Sequence, residues 1–290
     1  MSATVIAVAN CKGGCGKTTT AVNLAAELAA RGYRTLLVDL DPQGQASLGR
    51  APSPGAATAH DLLCGARILH DQVTRGQHGG PDLLPADPGY RSAATPPRPR
   101  ALAESLAGLA KPYDAIIFDT APAVDPPLVA ALAAADFVLT PTQLTPLACE
   151  GVMRFAQVFF YVVTQINPGL RAFAIASTQV DLRTRVQQAA WARLGADFGP
   201  ERLFPAIRSD VNLAEAFGCG LPVRDFRPES RGAADYAALA DEVETAWFGR
   251  ARPSRPFETS IPHSISNTPP FPALVALASS RKAESYPRSV

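Results

Sequence analysis

The chain has 290 residues, 47% of them hydrophobic, and its 27 Lys plus Arg against 26 Asp plus Glu give a formal net charge of +1. That is apolar material for one large core or two modest ones, and bulk charge does not announce nucleic acid, so any such surface has to be a local patch. Five scattered cysteines without C-x-x-C spacing exclude a disulfide framework and a structural zinc site, and read as thiols of a reducing compartment.

In chain order, "TVIAVAN" reads as a buried first strand, and the loop of residues 10–16 follows at once. "KTTTAVNLAAELAARG" has helical periodicity, with Val22, Leu24, Ala25, Leu28 and Ala29 on its apolar face and Gly32 at its end. "RTLLVDLD" is a second buried strand that closes in carboxylates; strand, glycine-rich loop, helix and strand make an α/β unit with parallel strands. Residues 50–60 read as loop, "AHDLLCGARILHDQV" as a short helix and "PDLLPAD" as a short strand, with proline-rich surface loop over 88–100. A helix over about 100–110 precedes the strand "YDAIIFDTAP", then the helix "PLVAALAAA" and the strand "DFVLTPTQ". An amphipathic helix with an aromatic face is expected over 148–163, then the strand "AFAIASTQV" and a helix over 183–195. "RLFPAI" reads as a last strand, with helices around 211–217 and 231–247. From residue 251 the character changes: seven prolines lie among many serines, five basic residues face two acidic ones, and no period survives. Residues 251–290 are expected to be a disordered basic tail behind one α/β domain over 1–250. No run reaches about 18 apolar residues and the start does not resemble a secretion signal, so a soluble cytosolic protein is expected.

The chemistry concentrates in "NCKGGCGKTT". Gly13, Gly14 and Gly16 let the backbone curl with its N–H groups inward, and the helix that starts near Lys17 adds its positive end. In such a loop Lys17 reaches the β and γ phosphates of a nucleotide and Thr18 gives its hydroxyl to Mg²⁺. The usual first glycine is replaced by Cys11, followed by a second lysine, Lys12. Two readings of Lys12 stand: its long stem crosses the mouth to a phosphate held by a second subunit, or it is a solvent lysine. Mg²⁺ needs few carboxylates. Asp119, after the apolar run "YDAIIF", is the expected Walker B residue, and Asp41 the residue that orients the attacking water. Asp39 faces the same side as Asp41 if the strand runs unbroken.

"KGGCGKTTTAVNLAAELAARG", "LLVDLDPQGQAS", "DAIIFDTAPAV", "AADFVLTPTQ" and "NLAEAFGCGLPVRDFRPESRGAADYAALADEV" resemble the ParA/Soj family of deviant Walker A partition ATPases, relatives of MinD, over about residues 4–247. The resemblance implies a P-loop NTPase fold, α/β with a mostly parallel sheet and helices on both faces. It implies slow, partner-stimulated hydrolysis of ATP with Mg²⁺. Lys12 then matches the signature lysine that enters the partner's nucleotide site in an ATP-sandwich homodimer. Lys12, Lys17 and Asp41 are the implied catalytic residues; Lys12, Gly13, Gly14, Cys15, Gly16, Lys17, Thr18, Thr19 and Arg208 hold the nucleotide; Thr18, Asp41 and Asp119 hold the metal. Implied partners are nonspecific double-stranded DNA and a ParB-type centromere-binding protein, with a cytoplasmic, nucleoid-associated location. The prolines of the tail argue against a MinD-like membrane helix, so no stable membrane association is expected.

The chain departs from the family where "IRS" (Ile207-Arg208-Ser209) replaces the usual "IPR" and Asn212 a frequent basic residue. Arg183, Arg185, Arg193, Arg202, Arg208, Arg224, Arg227 and Arg231, gathered in the C-terminal third, are the candidate contacts to DNA phosphates. Nothing resembles a base-reading helix.

Overall fold

The structure, a computed structural model, describes residues 3–47, 56–94 and 96–249, so the tail expected over 251–290 lies outside it. Seven strands make one sheet: β1 (Thr4–Val8), β2 (Thr35–Asp39), β3 (Asp82–Leu84), β4 (Ala115–Asp119), β5 (Phe137–Gln143), β6 (Ala172–Thr178) and β7 (Leu203–Phe204). Their order is β3-β2-β4-β1-β5-β6-β7 and every pairing is parallel, as the α/β pattern of the sequence requires. β2 and β4 are buried at every residue because helices cover both faces.

The helices are α1 (Lys17–Ala30), α2 (Ala59–Leu63), α3 (Ala101–Leu109), α4 (Pro126–Ala134), α5 (Pro146–Gln165), α6 (Arg185–Phe198), α7 (Val211–Gly218), α8 (Val223–Phe226) and α9 (Arg231–Trp247). Strand side chains alternate between two cores. Ile6, Val8, Leu37 and Ile117 meet Leu24 and Leu28 of α1 and Tyr236, Leu239 and Val243 of α9. Val5, Ala7, Val38 and Phe118 meet Leu102, Leu132, Phe155 and Phe159 on the other face. A fully buried Phe such as Phe155 contributes roughly 1.5–3 kcal/mol by leaving water. Helix α5 is long and apolar enough to cross a membrane by length and composition. Its Val152, Phe155, Phe159 and Val162 are buried against the sheet, which makes it a core helix here.

Several boundaries differ from expectation. β2 stops at Asp39, so Asp41 lies in the turn beyond it and the alternation argument linking the two carboxylates does not apply. The Asp39 carboxylate itself ends the strand by accepting from the Asp41 N–H at 3.1 Å. The expected "RLFPAI" strand is reduced to Leu203–Phe204. Helix α6 starts at Arg185, leaving Arg183 in a turn where it binds Asp181. The short helix α8, behind Pro222, was not anticipated.

Helices α1 and α9 are tied by charge as well as apolar packing. Arg31 bonds Glu244 at 2.6 Å and Asp241 at 2.8 Å, and donates to the Ala237 carbonyl at 2.8 Å. Because Arg31 is only 20% exposed and Glu244 10%, removing one partner strands the other in a poorly solvated site. Arg31→Ala is expected to lower the unfolding free energy by about 3 kcal/mol in urea titrations; an unchanged midpoint would mean that apolar packing alone docks α9.

Candidate functional site

Strand β1 lies between β4 and β5, at the point where the strand order diverges, so the loop after it opens at the carboxyl edge of the sheet. Gly14 (φ 69°) and Gly16 (φ 87°) adopt left-handed backbone that side chains rarely tolerate. A Cβ on Gly16 would also stand 3.4 Å from the Thr178 methyl. The loop is pinned from both ends. Asn10 donates to the Pro141 carbonyl at 2.8 Å and accepts from the Lys12 N–H at 3.1 Å. Thr178 donates to the Cys15 carbonyl at 2.9 Å, and Gln143 to the Gly14 carbonyl at 3.2 Å.

Several helix starts are closed by side chains, whereas α3, α6 and α8 share with α1 the lack of a side-chain cap. Asp125 caps α4, Thr145 caps α5, Asp210 caps α7 and Ser230 caps α9. Helix α1 has Gly16 at its cap, no side-chain cap and no acidic residue in its first turn. Its leading N–H groups therefore face the loop and suit an anion. The buried Lys17 adds a full charge, held by a bond from Nζ to the Lys12 carbonyl at 3.0 Å.

Opposite stand the carboxylates. Parallel pairing sets Asp39 in register with Asp119, both 0% exposed. Asp39 accepts from Ser47 through its N–H at 3.1 Å and its hydroxyl at 3.0 Å. Neither Asp119 oxygen has a hydrogen-bond partner. Burial pushes the Asp119 carboxyl well above the usual carboxylate range and the charge of Asp39 adds to this, while Thr18 and Lys17 oppose it. Burial likewise raises Asp39 to about 6. A buried carboxylate without donors fits a bound cation, and the half-buried Thr18 begins the second position of α1 beside it. Among the described residues no three His, Cys, Asp or Glu side chains make a cation cage. That fits Mg²⁺, which binds one or two carboxylates and keeps its other positions for water and phosphate.

Cys15 is buried, with its thiol 3.2 Å from the Lys12 carbonyl, and burial raises both it and Cys11, the latter to about 12. Both thiols therefore stay protonated and serve as packing. Beyond Gly16 and Thr19 a cleft of about 610 Å³ continues between Thr178, Gln179, Arg208, Asp210, Phe217 and Tyr236. Of these, Gly16, Thr19 and Arg208 stand out in the sequence; Gln143, Thr178 and Gln179 become visible only because parallel β5 and β6 end beside the loop.

A family model described as an AAA domain matches residues 3–172. The chain is 41% identical to the chromosome-partitioning ATPase Soj of Thermus thermophilus, over 82% of this chain and 94% of that protein. It is 33% identical to the chromosome partitioning protein ParA of Caulobacter vibrioides, over 82% and 93%. The chain belongs to the ParA/Soj family of P-loop ATPases. Among solved structures it resembles cobyrinic acid a,c-diamide synthase from Mycobacterium smegmatis with bound ATP analog and magnesium: TM-score 0.74, 30% identity, 88% of this chain and 99% of that one. The ParA/Soj membership agrees with the loop, the lysine pair and the strand-end carboxylates.

Of the eight arginines expected at DNA, six lie in ion pairs among the described residues. Arg183 pairs with Asp181, Arg193 with Asp197, Arg208 with Asp235, Arg224 with Glu27 and Arg227 with Glu229. Arg202 lies beside Glu201 and is only 22% exposed. Arg185 and Arg231 make no ion pair among the described residues. Some of the pairing is local, since "VDLRT" and "RPES" each carry the opposite charge two residues away, while Arg208–Asp235 and Arg224–Glu27 join distant segments.

The raised carboxyls fix a stability prediction. A carboxyl whose folded pKa exceeds its unfolded value favours the native state when protonated, so stability is full below the unfolded pKa and falls as pH rises through the folded one. For Asp39 that window runs from about 3.8 to about 6, and Asp119 acts in the same direction. Ligand-free Asp119→Asn is expected to melt above the wild type at pH 7.5, with the advantage disappearing near pH 4. Equal melting at both pH values would show that Asp119 is not a buried unsatisfied charge.

Proposed function

We propose that this chain is a Mg²⁺-dependent ATPase that closes into a homodimer over ATP, binds double-stranded DNA nonspecifically in that state, and segregates plasmid or chromosomal DNA with a ParB-type centromere-binding partner. One observation carries the reading: a buried, donor-less Asp119 faces an uncapped helix start and a buried lysine. A cation at the first and polyphosphate at the others satisfy all three together. The names of the Soj and ParA relatives support partition as the task.

In this reading Gly13, Gly14, Cys15, Gly16, Lys17, Thr18 and Thr19 wrap the phosphates through backbone N–H groups, and Lys17 neutralises their charge. Thr18 and Asp119 hold Mg²⁺, with Asp41 in its outer shell. Mg²⁺ when bound supplies charge neutralisation at the leaving oxygens. Asp41, 8% exposed and anchored by the Gln43 N–H at 3.0 Å, orients the attacking water. Lys12 is half-buried, and the adjoining start of α5 exposes 66% of Leu147. Leu182 and Val186 are exposed beyond β6. The exposed Leu147 on the helix beside this lysine supports a face that a second copy covers, with Lys12 reaching the other subunit's phosphates, where its charge assists transfer only after assembly.

DNA contact in this reading falls first to Arg185 and Arg231, while Arg183, Arg193, Arg202, Arg208, Arg224 and Arg227 exchange carboxylates for phosphates. Exposed ion pairs are weak, so that exchange costs little at Arg183, Arg193 and Arg227, whereas at Arg208 and Arg224 it strands the nearly buried Asp235 and Glu27. The protein then acts in the cytoplasm on the nucleoid and without stable membrane association.

Two outcomes are expected. Lys12→Ala keeps nucleotide binding but loses dimer formation and phosphate release; full turnover by this variant contradicts the crossing lysine. Wild-type retention on DNA requires ATP with Mg²⁺ and collapses as salt rises from about 50 to about 200 mM; equal retention with ADP contradicts nucleotide gating.

A further inference from the structure

Behind the turn that carries Asp41 stands a buried histidine that the phosphate site does not use. His60 is 2% exposed, on the short helix α2, whose start is fixed by a capping box between Thr58 and Asp61. The Ala59 N–H donates to the Pro85 carbonyl at 2.8 Å, which ties α2 to the segment after β3. From that same segment the Asp87 N–H donates to His60 Nδ1 at 2.9 Å. Burial lowers the His60 pKa and so favours the neutral ring. A backbone N–H can only donate, so Nδ1 is the bare nitrogen and the ring proton sits on Nε2. One face of the ring stacks on Tyr90, with centroids 4.3 Å apart, which fixes its plane.

Nε2 is left as a buried donor without a partner among the described residues. Its complement is the Leu40 carbonyl. Leu40 is buried and follows the last residue of β2, and no backbone N–H among the described residues donates to its oxygen. Against the lowering by burial, the Asp87 charge and then the Leu40 backbone, acting as a hydrogen-bond acceptor, raise the His60 pKa, and Asp61 and Asp41 add to this. An orphaned donor and an orphaned acceptor thus stand at the edge of hydrogen-bond reach. Each is costly to leave unpaired in a dry site, so a small movement that joins them is favoured. The carbonyl belongs to the residue just before Asp41, and the Leu40 N–H on its other side donates to the Asp119 carbonyl at 2.9 Å. A cavity of about 340 Å³ beside Leu40, Pro42, Gln43 and Tyr90 leaves the turn room to shift.

Resting on the ATPase reading above, we propose that His60 is the positioning residue of Asp41: its Nε2–H takes the Leu40 carbonyl and holds the turn where Asp41 meets the attacking water. His60 acts through the backbone of Leu40 and not by touching the nucleotide. The Asp87 N–H and the Tyr90 ring orient the imidazole, so the segment after β3 sets the turn after β2. Phosphate binding, which rests on the loop and Lys17, is independent of this tether.

The test separates the two ring nitrogens with His60→Gln, whose amide nitrogen reaches the level of Nε2, and His60→Asn, whose amide reaches only that of Nδ1. Three quantities are measured on the full chain: phosphate release at saturating ATP with Mg²⁺, calorimetric binding of the slowly hydrolysed thio analogue of ATP, and amide hydrogen exchange of the ligand-free protein over residues 41–47. His60→Asn is expected to lower kcat at least tenfold and to speed exchange of the turn at least tenfold, while analogue affinity shifts less than threefold. His60→Gln is expected to keep at least a third of the wild-type kcat and to exchange within threefold of the wild type. If His60→Asn does not fold, His60→Phe, which keeps the stack on Tyr90 but has no donor, carries the same expectation. Wild-type turnover and exchange in His60→Asn, or equal losses in His60→Asn and His60→Gln, overturn the tether alone. A wild type that binds the analogue but releases no phosphate overturns the ATPase reading and this inference with it.

Discussion

Everything at the carboxyl edge of this sheet depends on parallel register. Pairing of β2 with β4 places Asp39 directly beside Asp119, and pairing of β1 with β4 brings Val8, and so the start of the loop, to the same level. Two carboxylates side by side in a dry site repel one another and resist ionisation. One of them, Asp39, is relieved by Ser47 and by the Asp41 N–H. The other is left bare, while a buried ammonium and an uncapped helix start face it. The fold holds these opposed charges apart at a fixed spacing, which is a configuration suited to accept a cation and a polyanion as a pair.

The sequence made the sheet and the phosphate loop legible because both rest on local signals. Apolar runs without alternation mean strands buried on both faces, and glycines followed by Lys-Thr-Thr mean a loop feeding a helix. Sequence also placed Asp119 at a strand end. It did not show that Asp119 would be the unsatisfied member and Asp39 the satisfied one, since Ser47 lies eight residues on and reaches back through a short helical turn. The end of β2 was misjudged for the same reason: the Asp39 carboxylate captures the next N–H groups and diverts the chain before Asp41.

The cleft was less legible. Thr178, Gln143 and Gln179 come from strands far along the chain, and their relation to Gly14 and Cys15 exists only in the folded sheet. The arginines show what sequence leaves out: Asp181, Asp197 and Glu229, two or four residues away, pair with Arg183, Arg193 and Arg227. Arg208 is drawn onto Asp235 of α9 and lines the cleft.

The central claim is that Lys17 and Asp119 act as the two poles of one metal–polyphosphate site. Calorimetric titration of ATP into wild type and Lys17→Ala, with and without Mg²⁺, tests it most directly. The account predicts tight binding only in the wild type with Mg²⁺, and loss of that binding when either the ion or the lysine is removed. Equal ATP affinity in all four titrations would contradict it.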